Sequence, residues 1–138
     1  MKKALIPQKP EDVRKIAEKA RECRNPYASK GHLYEYAVKG IAAGRVIPLM
    51  VFKNGRGGDM EGGAILTVTE RFGEKVFWLD FCWVEPGSDI TKDFLKQVED
   101  LARDMGIKKI VGAMTRGEQA AYRKYGFKTE VKIVSKEV

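Results

Sequence analysis

Residues 75–114, KVFWLDFCWVEPGSDITKDFLKQVEDLARDMGIKKIVGAM, decide the fold, because they hold a strand, a helix and a second strand in succession. The run 75–84 is rich in aromatic and β-branched residues, which favours a strand. From 91 to 105 the apolar residues recur at helical spacing, and Gly106 predicts the end of that helix. The apolar run 108–114 predicts a second strand, which should pair parallel to the first through a right-handed crossover.

The residues before this unit predict antiparallel strands. Runs 46–53 and 64–70 have strand character, and their connections are too short for crossovers. Phe72-Gly73 predicts the turn into 75–84. The glycine-rich stretch 55–63 predicts a long flexible connection rather than a nucleotide-binding loop, since it joins two strands and lacks a following Gly-Lys-Ser/Thr.

The whole order of elements predicts an α/β protein with a central mixed sheet and helices on both faces. The order is β-α-α-β-β-β-α-β-α-β, and the outer elements are a strand at 3–7, helices at 10–24 and 32–43, a helix at 118–125 and a strand at 128–136. A length of 138 residues predicts one domain, residues 1–138.

Composition narrows the class of protein. No apolar run approaches the roughly 18 residues that a membrane span needs, and the N-terminus is too short for a signal peptide. Cys23 and Cys82 are far apart, which favours a reduced, cytoplasmic protein, and with one histidine they make a metal site improbable.

The positive charge is concentrated at the N-terminus. The formal net charge is +7, and residues 1–45 carry 11 Lys and Arg against 5 Asp and Glu. Such a surplus is compatible with a nucleic-acid, anionic-cofactor or acidic protein partner, and also with a soluble protein that binds no anion. The oligomeric state is left open.

One carboxylate interrupts the apolar strand 75–84. By period two, Asp80 should share a face with Cys82 and Val84, while Trp78 and Trp83 should point to opposite faces. A carboxylate there needs a partner, and either a catalytic role or a cross-strand Lys or Arg would explain it. Cys82 lacks a nearby base and is expected to be a small buried hydrophobe.

The junction VEPGSDITKDF, residues 84–94, admits two interpretations. Unpaired N–H groups at a helix N-terminus attract phosphate, and Lys92 adds a positive charge. Alternatively, the side chain of Ser88, Asp89 or Thr91 caps the helix and occupies those groups.

The order of elements, together with the sequence YRKYGF at 122–127, resembles the GNAT-type N-acyltransferases. Their Tyr-x-x-x-Gly-Phe motif ends the fourth helix, as Tyr122 to Phe127 would here. Compact chains of this kind also resemble proteins that bacteriophages often encode. The resemblance covers the order of elements along nearly the whole chain, and the sequence itself over about 75–128.

The resemblance implies an acyl-CoA, such as acetyl-CoA, bound beside strand 75–84. The pantetheine would pair with the strand backbone and the pyrophosphate would lie on the following loop. The residues implied in cofactor binding are Cys82, Val84, Gly87, Ser88, Ile90, Thr91 and Lys92.

The implied reaction is acyl transfer to an amine. Tyr122 would protonate the departing thiolate, and Asp80 would act as the base. The alternative is a catalytically inactive protein with the same fold that binds a protein or nucleic-acid partner through its basic surface.

Overall fold

The computed structural model describes residues 3–7, 9–22, 30–55, 58–112, 126–128 and 136–137. Within them the chain forms three helices and four strands. In chain order these are α1 (Pro10–Glu22), α2 (Lys30–Ala42), β1 (Ile47–Phe52), β2 (Met60–Arg71), β3 (Glu74–Val84), α3 (Thr91–Asp104) and β4 (Ile110–Val111). No helix among these is long and apolar enough to cross a membrane.

The four strands form one mixed sheet in the order β1-β2-β3-β4. The first three are antiparallel neighbours, and β4 pairs parallel to β3 through Phe77 with Ile110 and Trp78 with Val111. α3 provides the crossover between these two strands. The β-α-β unit and the antiparallel strands before it are therefore confirmed.

β3 contains a bulge at Asp80. Leu79 pairs with Leu66 and Phe81 pairs with Ile65, so Asp80 is an extra residue with no partner of its own on β2. A bulge bends its strand and changes which face the later side chains occupy. This single insertion sets the geometry of everything that follows in β3.

Helices cover both faces of the sheet, as predicted. On one face α1 and α2 bury a cluster that contains Ile16, Ala37, Ile65 and Phe81. On the other face α3 packs Phe94, Val98 and Ala102 against Leu66 and Phe77. The apolar stripe read from residues 91–105 is the surface that α3 buries, and the helix closes at Gly106, whose φ is +72°.

The glycine-rich stretch is not a flexible connection throughout its length. β2 already begins at Met60, so the expectation of a loop over 55–63 is wrong for its last four residues. A Cβ on Gly62 would lie 2.8 Å from Ile90 Cδ1, and one on Gly63 would lie 2.9 Å from Met60 Sδ. The glycines let neighbouring side chains close onto the strand, a packing role that sequence spacing does not reveal.

The outer elements agree in part with the predictions. Residues 3–7 contribute one antiparallel bridge, in which Leu5 and Met50 exchange two backbone hydrogen bonds of 2.8 Å. The two N-terminal helices occur within a few residues of the predicted bounds. The predicted helix 118–125 and most of the strand 128–136 lie outside the described residues.

The β2–β3 turn should gain stability from the substitution Phe72→Asn. Phe72 is fully exposed and has a φ of +52°, and Gly73 follows with a φ of +80°. Such turns favour Asn-Gly, because asparagine tolerates positive φ better than a bulky residue. We expect an increase in the free energy of unfolding of about 0.5–1 kcal/mol, measured by urea denaturation.

Phe72→Ala is the matched control, because it removes the exposed ring and keeps an unfavourable residue at positive φ. An equal gain in both variants would contradict the conformational explanation.

Candidate functional site

The bulge places a carboxylate beside two hydroxyl groups. Tyr36 on α2 donates a hydrogen bond of 2.9 Å to Asp80 Oδ2, and the Thr67 hydroxyl on β2 donates to the same oxygen. The two hydroxyl oxygens also lie 2.9 Å apart. The predicted partner of Asp80, a cross-strand Lys or Arg, is replaced by this hydroxyl pair among the described residues.

The same residues line an open groove on the α2 side of the sheet. Its volume is about 290 Å³, and Tyr36, Thr67, Thr69, Trp78 and Asp80 line it. Tyr36 keeps 42% of its surface exposed, so the groove opens to solvent. α2 and two neighbouring strands thus supply the three kinds of group present: a carboxylate, hydroxyls and aromatic rings.

Two expectations about the faces of β3 are wrong. Asp80 lies in the α2-side groove, whereas Cys82 and Val84 pack into the α3-side cluster. Trp78 and Trp83 share the α2 side instead of pointing to opposite faces. The bulge is the physical reason, because the period-two count fails when one residue is inserted.

β3 extends past the end of its described pairing with β4. That pairing ends at Trp78 and Val111, while β3 continues to Val84. The Glu85 N–H donates to the Glu61 carbonyl on the β2 side at 2.8 Å, so by alternation the backbone of Val84 faces the opposite edge. No described residue pairs with Val84 on that edge.

The β3–α3 junction is a tight turn followed by an uncapped helix. The Ser88 N–H donates to the Glu85 carbonyl at 3.0 Å, and Gly87 has a φ of +83°. Pro86 followed by a glycine at positive φ is the pattern of a type II turn. The sequence therefore builds this corner through its one Pro-Gly pair.

No side chain caps α3, so the capping interpretation is wrong. The N-cap residue is Ile90, and its own N–H donates to Ser88 Oγ at 3.3 Å. The first bond within the helix runs from the Phe94 N–H to the Ile90 carbonyl at 2.8 Å. The N–H groups of Thr91, Lys92 and Asp93 have no acceptor among the described residues.

Two side-chain contacts tie this corner to the start of β2 and the end of β1. Glu61 is buried and accepts a hydrogen bond of 2.8 Å from the Ser88 hydroxyl. Lys53 lies 2.5 Å from Glu85 Oε1, and this bond raises the pKa of Lys53. The negative charge of Glu85, at the predicted phosphate position, is thus matched by a cation that directly follows β1.

Solved structures share this architecture across nearly the whole chain. A predicted acetyltransferase from Clostridium acetobutylicum, determined with acetyl-CoA, matches with a TM-score of 0.71 and 14% identity over 99% of this chain and 96% of that one. Glucosamine-6-phosphate N-acetyltransferase from Arabidopsis thaliana matches with a TM-score of 0.70 and 14% identity, covering 99% and 98%. A putative acetyl transferase from Pyrococcus furiosus gives 0.69 and 18%, covering 99% and 100%.

The chain has the GNAT acetyltransferase fold. No protein-family model matches the sequence, and no curated protein sequence is significantly similar to it. At these identities the structural similarity establishes the fold alone, so the chemistry depends on the residues of this chain.

The implied cofactor residues of this GNAT fold meet at one corner. Val84 leads into the junction that holds Gly87 and Ser88, and Ile90 and Thr91 open α3. The amides of Ser88 and Ile90 bond within the junction, and those of Thr91 and Lys92 have no acceptor among the described residues. Their roles stay predictions, and Tyr122 lies outside the described residues.

The sequence does not indicate three residues that contact Asp80 or Glu85 in the structure: Tyr36, Thr67 and Lys53. Tyr36 lies in the predicted helix 32–43, and its aromatic character gives no sign of a polar contact. Each position is joined to its partner by more than ten residues of intervening chain, so no local motif connects them. Only the sheet register and the placement of α2 bring them to Asp80 and Glu85.

The basic α1 uses several of its cations within the fold. Lys15 donates to the Gly58 carbonyl at 2.8 Å, Lys19 lies 4.5 Å from the Trp83 ring centre, and Arg21 lies 4.2 Å from that of Tyr34. A nucleic-acid or protein partner for this surface stays a prediction. No cluster of metal-binding side chains occurs in the part of the chain that the structure describes.

The pKa of Tyr36 should report on its hydrogen bonds with Asp80 and Thr67. Burial raises it above 10.0, as do the hydrogen bond and charge of Asp80, while Thr67 and Arg45 act to lower it. We therefore expect Asp80→Asn to lower the Tyr36 pKa, measured by NMR titration of the tyrosine ring carbons. An unchanged pKa would contradict the described bond.

The raised pKa also fixes the sign of a stability effect. Because the folded-state value exceeds the unfolded value of about 10, the neutral phenol stabilises the fold below that pH. This contribution is lost as the pH rises through the folded-state pKa.

Proposed function

We propose that residues 1–138 form one domain that transfers an acyl group from acyl-CoA to an amine. One observation carries the proposal: the outer edge of β3 at Val84 leads directly to three amide groups, of Thr91 to Asp93, that have no described acceptor. A strand edge beside a helix N-terminus suits a ligand that combines a peptide-like arm with phosphates. The acetyl-CoA-bound structure with the same fold supports this choice of ligand.

The corner fits an anion for electrostatic reasons. The N-terminus of α3 carries partial positive charge from its aligned peptide dipoles, and its first amides point outward. Lys92 adds a side-chain cation, and Lys53 offsets the charge of Glu85. Asp89 and Asp93 are the exposed carboxylates near this corner, where solvent screens their charge, and the buried Glu61 accepts a hydrogen bond from the Ser88 hydroxyl.

The pantetheine arm would follow β3 toward the bulge. Its amide groups would pair with backbone groups on the β4-facing edge, where Val84 has no described partner. This path leads from the phosphates at α3 to the region of Asp80, so the thioester would lie beside the groove. The one strand therefore serves both substrates.

Asp80 is the proposed base. It takes the proton that the acceptor's ammonium must lose, and the neutral nitrogen then attacks the thioester carbonyl. A C–N bond forms and the C–S bond breaks, and the thiolate leaves with a proton that Tyr122 supplies. Tyr36 and Thr67 are positioning residues, because they hold the carboxylate through two hydrogen bonds.

Acetyl-CoA should raise the melting temperature of the protein. Ligand at one hundred times its Kd adds about 2.7 kcal/mol to the free energy of unfolding, which thermal unfolding detects readily. Lys92→Ala should reduce the shift because it removes a cation at the phosphate site. Lys96→Ala is the matched control, one turn further along α3 and also exposed.

No shift at millimolar acetyl-CoA would refute the acyltransferase proposal. If Lys92→Ala and Lys96→Ala reduced the melting-temperature shift equally, the phosphates would not lie beside Lys92.

Asp80→Asn should slow turnover and leave acetyl-CoA binding unchanged. Losing a general base costs about 10²- to 10⁴-fold in kcat, while the phosphate corner is untouched by the change. Release of the CoA thiol measures the rate, and the thermal shift measures binding. Asp100→Asn, an exposed carboxylate on α3, is the control.

Full turnover by Asp80→Asn would remove the base assignment. Full turnover by Tyr122→Phe would remove only the acid assignment.

A further inference from the structure

We propose that the groove beside Asp80 binds the acceptor as a primary alkylammonium ion, a positively charged amine on a slender apolar chain. This inference rests on the proposed function for its catalytic meaning, but the binding itself requires no acyl-CoA. It concerns the groove of about 290 Å³ that Tyr36, Thr67, Thr69, Trp78 and Asp80 line.

The hydrogen-bonding pattern of the cluster selects a donor. Tyr36 and Thr67 have one hydroxyl proton each, and both protons are donated to Asp80 Oδ2. These two hydroxyl groups therefore have no proton left to offer a ligand, and the donors that the described lining still supplies are the Thr69 hydroxyl and the Trp78 indole N–H. Asp80 Oδ1 has no hydrogen-bond partner among the described residues, so it is open to an incoming N–H group.

The charge of the groove selects a cation. Among the described residues, Asp80 is the one charged side chain that lines it. Its described bonds come from neutral hydroxyls, which stabilise the carboxylate without cancelling its charge. Arg45 acts on Tyr36 from nearby and makes no described bond to Asp80. An ammonium ion supplies both the opposite charge and the donor that the carboxylate lacks.

The aromatic side chains favour an apolar stem. Tyr36 and Trp78 both line the groove, and their rings offer apolar surface to the stem. The same rings attract the charged end of the ligand through their π-electrons. The volume lies at the lower limit of small-molecule pockets, which are roughly 300–1,000 Å³. It suits a short alkyl chain, which a free amine or a lysine side chain can supply.

The first experiment measures binding to the whole chain without acyl-CoA. n-Pentylammonium is titrated while NMR follows the Trp78 indole signal, assigned with Trp78→Phe. The same titration with 1-pentanol tests the charge, since this neutral molecule keeps the stem. We expect saturable shifts with the amine and at least about tenfold weaker binding of the alcohol. Equal binding of the two ligands would overturn the inference.

Two variants assign the interaction to the groove. Asp80→Asn should weaken n-pentylammonium binding by about tenfold or more, because it removes the charge and keeps the shape. Trp78→Leu should weaken it about two- to fivefold through the lost ring. Asp100→Asn, remote on α3, should leave affinity unchanged. If Asp80→Asn bound n-pentylammonium with unchanged affinity, the site would be refuted. This conclusion does not depend on whether the other variants fold.

The second experiment compares acceptors in the presence of acetyl-CoA. n-Pentylamine represents a free amine, Nα-acetyl-lysine amide represents a lysine side chain, and glucosamine represents a polar amino sugar. Transfer to either or both alkyl amines, with slower transfer to glucosamine, supports the inference and identifies the source. Preferred transfer to glucosamine would overturn it and leave the acyltransferase function intact.

The binding result separates the two proposals. Asp80-dependent binding of n-pentylammonium without any acetyl-CoA shift would support the groove and refute acyl transfer. A rise in melting temperature with acetyl-CoA, without any binding of n-pentylammonium, would support acyl transfer and refute the groove as an ammonium site.

Discussion

The β-bulge at Asp80 is the constraint on which the rest of the structure depends. Asp80 keeps the α2-side face that Trp78 already occupies, and the inserted residue places Phe81 on that same face and so reverses the faces of the later side chains. The described pairing with β4 ends just before it, at Trp78. The bulge therefore lies in the groove and marks where β3 continues to Val84 without a described partner on that edge, so that both proposed substrates would meet along one strand.

The second constraint is the way in which the phosphate corner is held. The buried Glu61 accepts a hydrogen bond from the Ser88 hydroxyl, and Lys53 forms an ion pair with Glu85. Residues of β2 and of the end of β1 therefore support a junction that contains a single glycine. A longer glycine-rich loop would shape such a corner through its own backbone. Here contacts from β1 and β2 perform part of that task, and the first amides of α3 are left facing outward.

The sequence predicted most of the fold because its signals were local. The stripe on α3, Gly106 at its end and the parallel crossover into β4 are each properties of neighbouring residues, and each is found in the structure. The faces of β3 were wrongly predicted because alternation assumes an unbroken register. Met60 to Gly63 were wrongly placed in a loop because glycine has low strand propensity. In the structure Ile90 fills the space beside Gly62, and Met60 and Ile16 fill the space beside Gly63.

The sequence by itself determined the order of elements, the type II turn at Pro86-Gly87 and the presence of a carboxylate in an apolar strand. The tertiary structure decided what that carboxylate does, because Tyr36 and Thr67 reach it only through the packing of α2 and the register of β2. It also decided that α3 starts without a side-chain cap, because the N-cap position falls on Ile90, whose side chain has no acceptor, while Ser88 Oγ accepts from the Ile90 N–H. Local sequence sets backbone preference, but long-range contacts decide which polar groups are left available to a ligand.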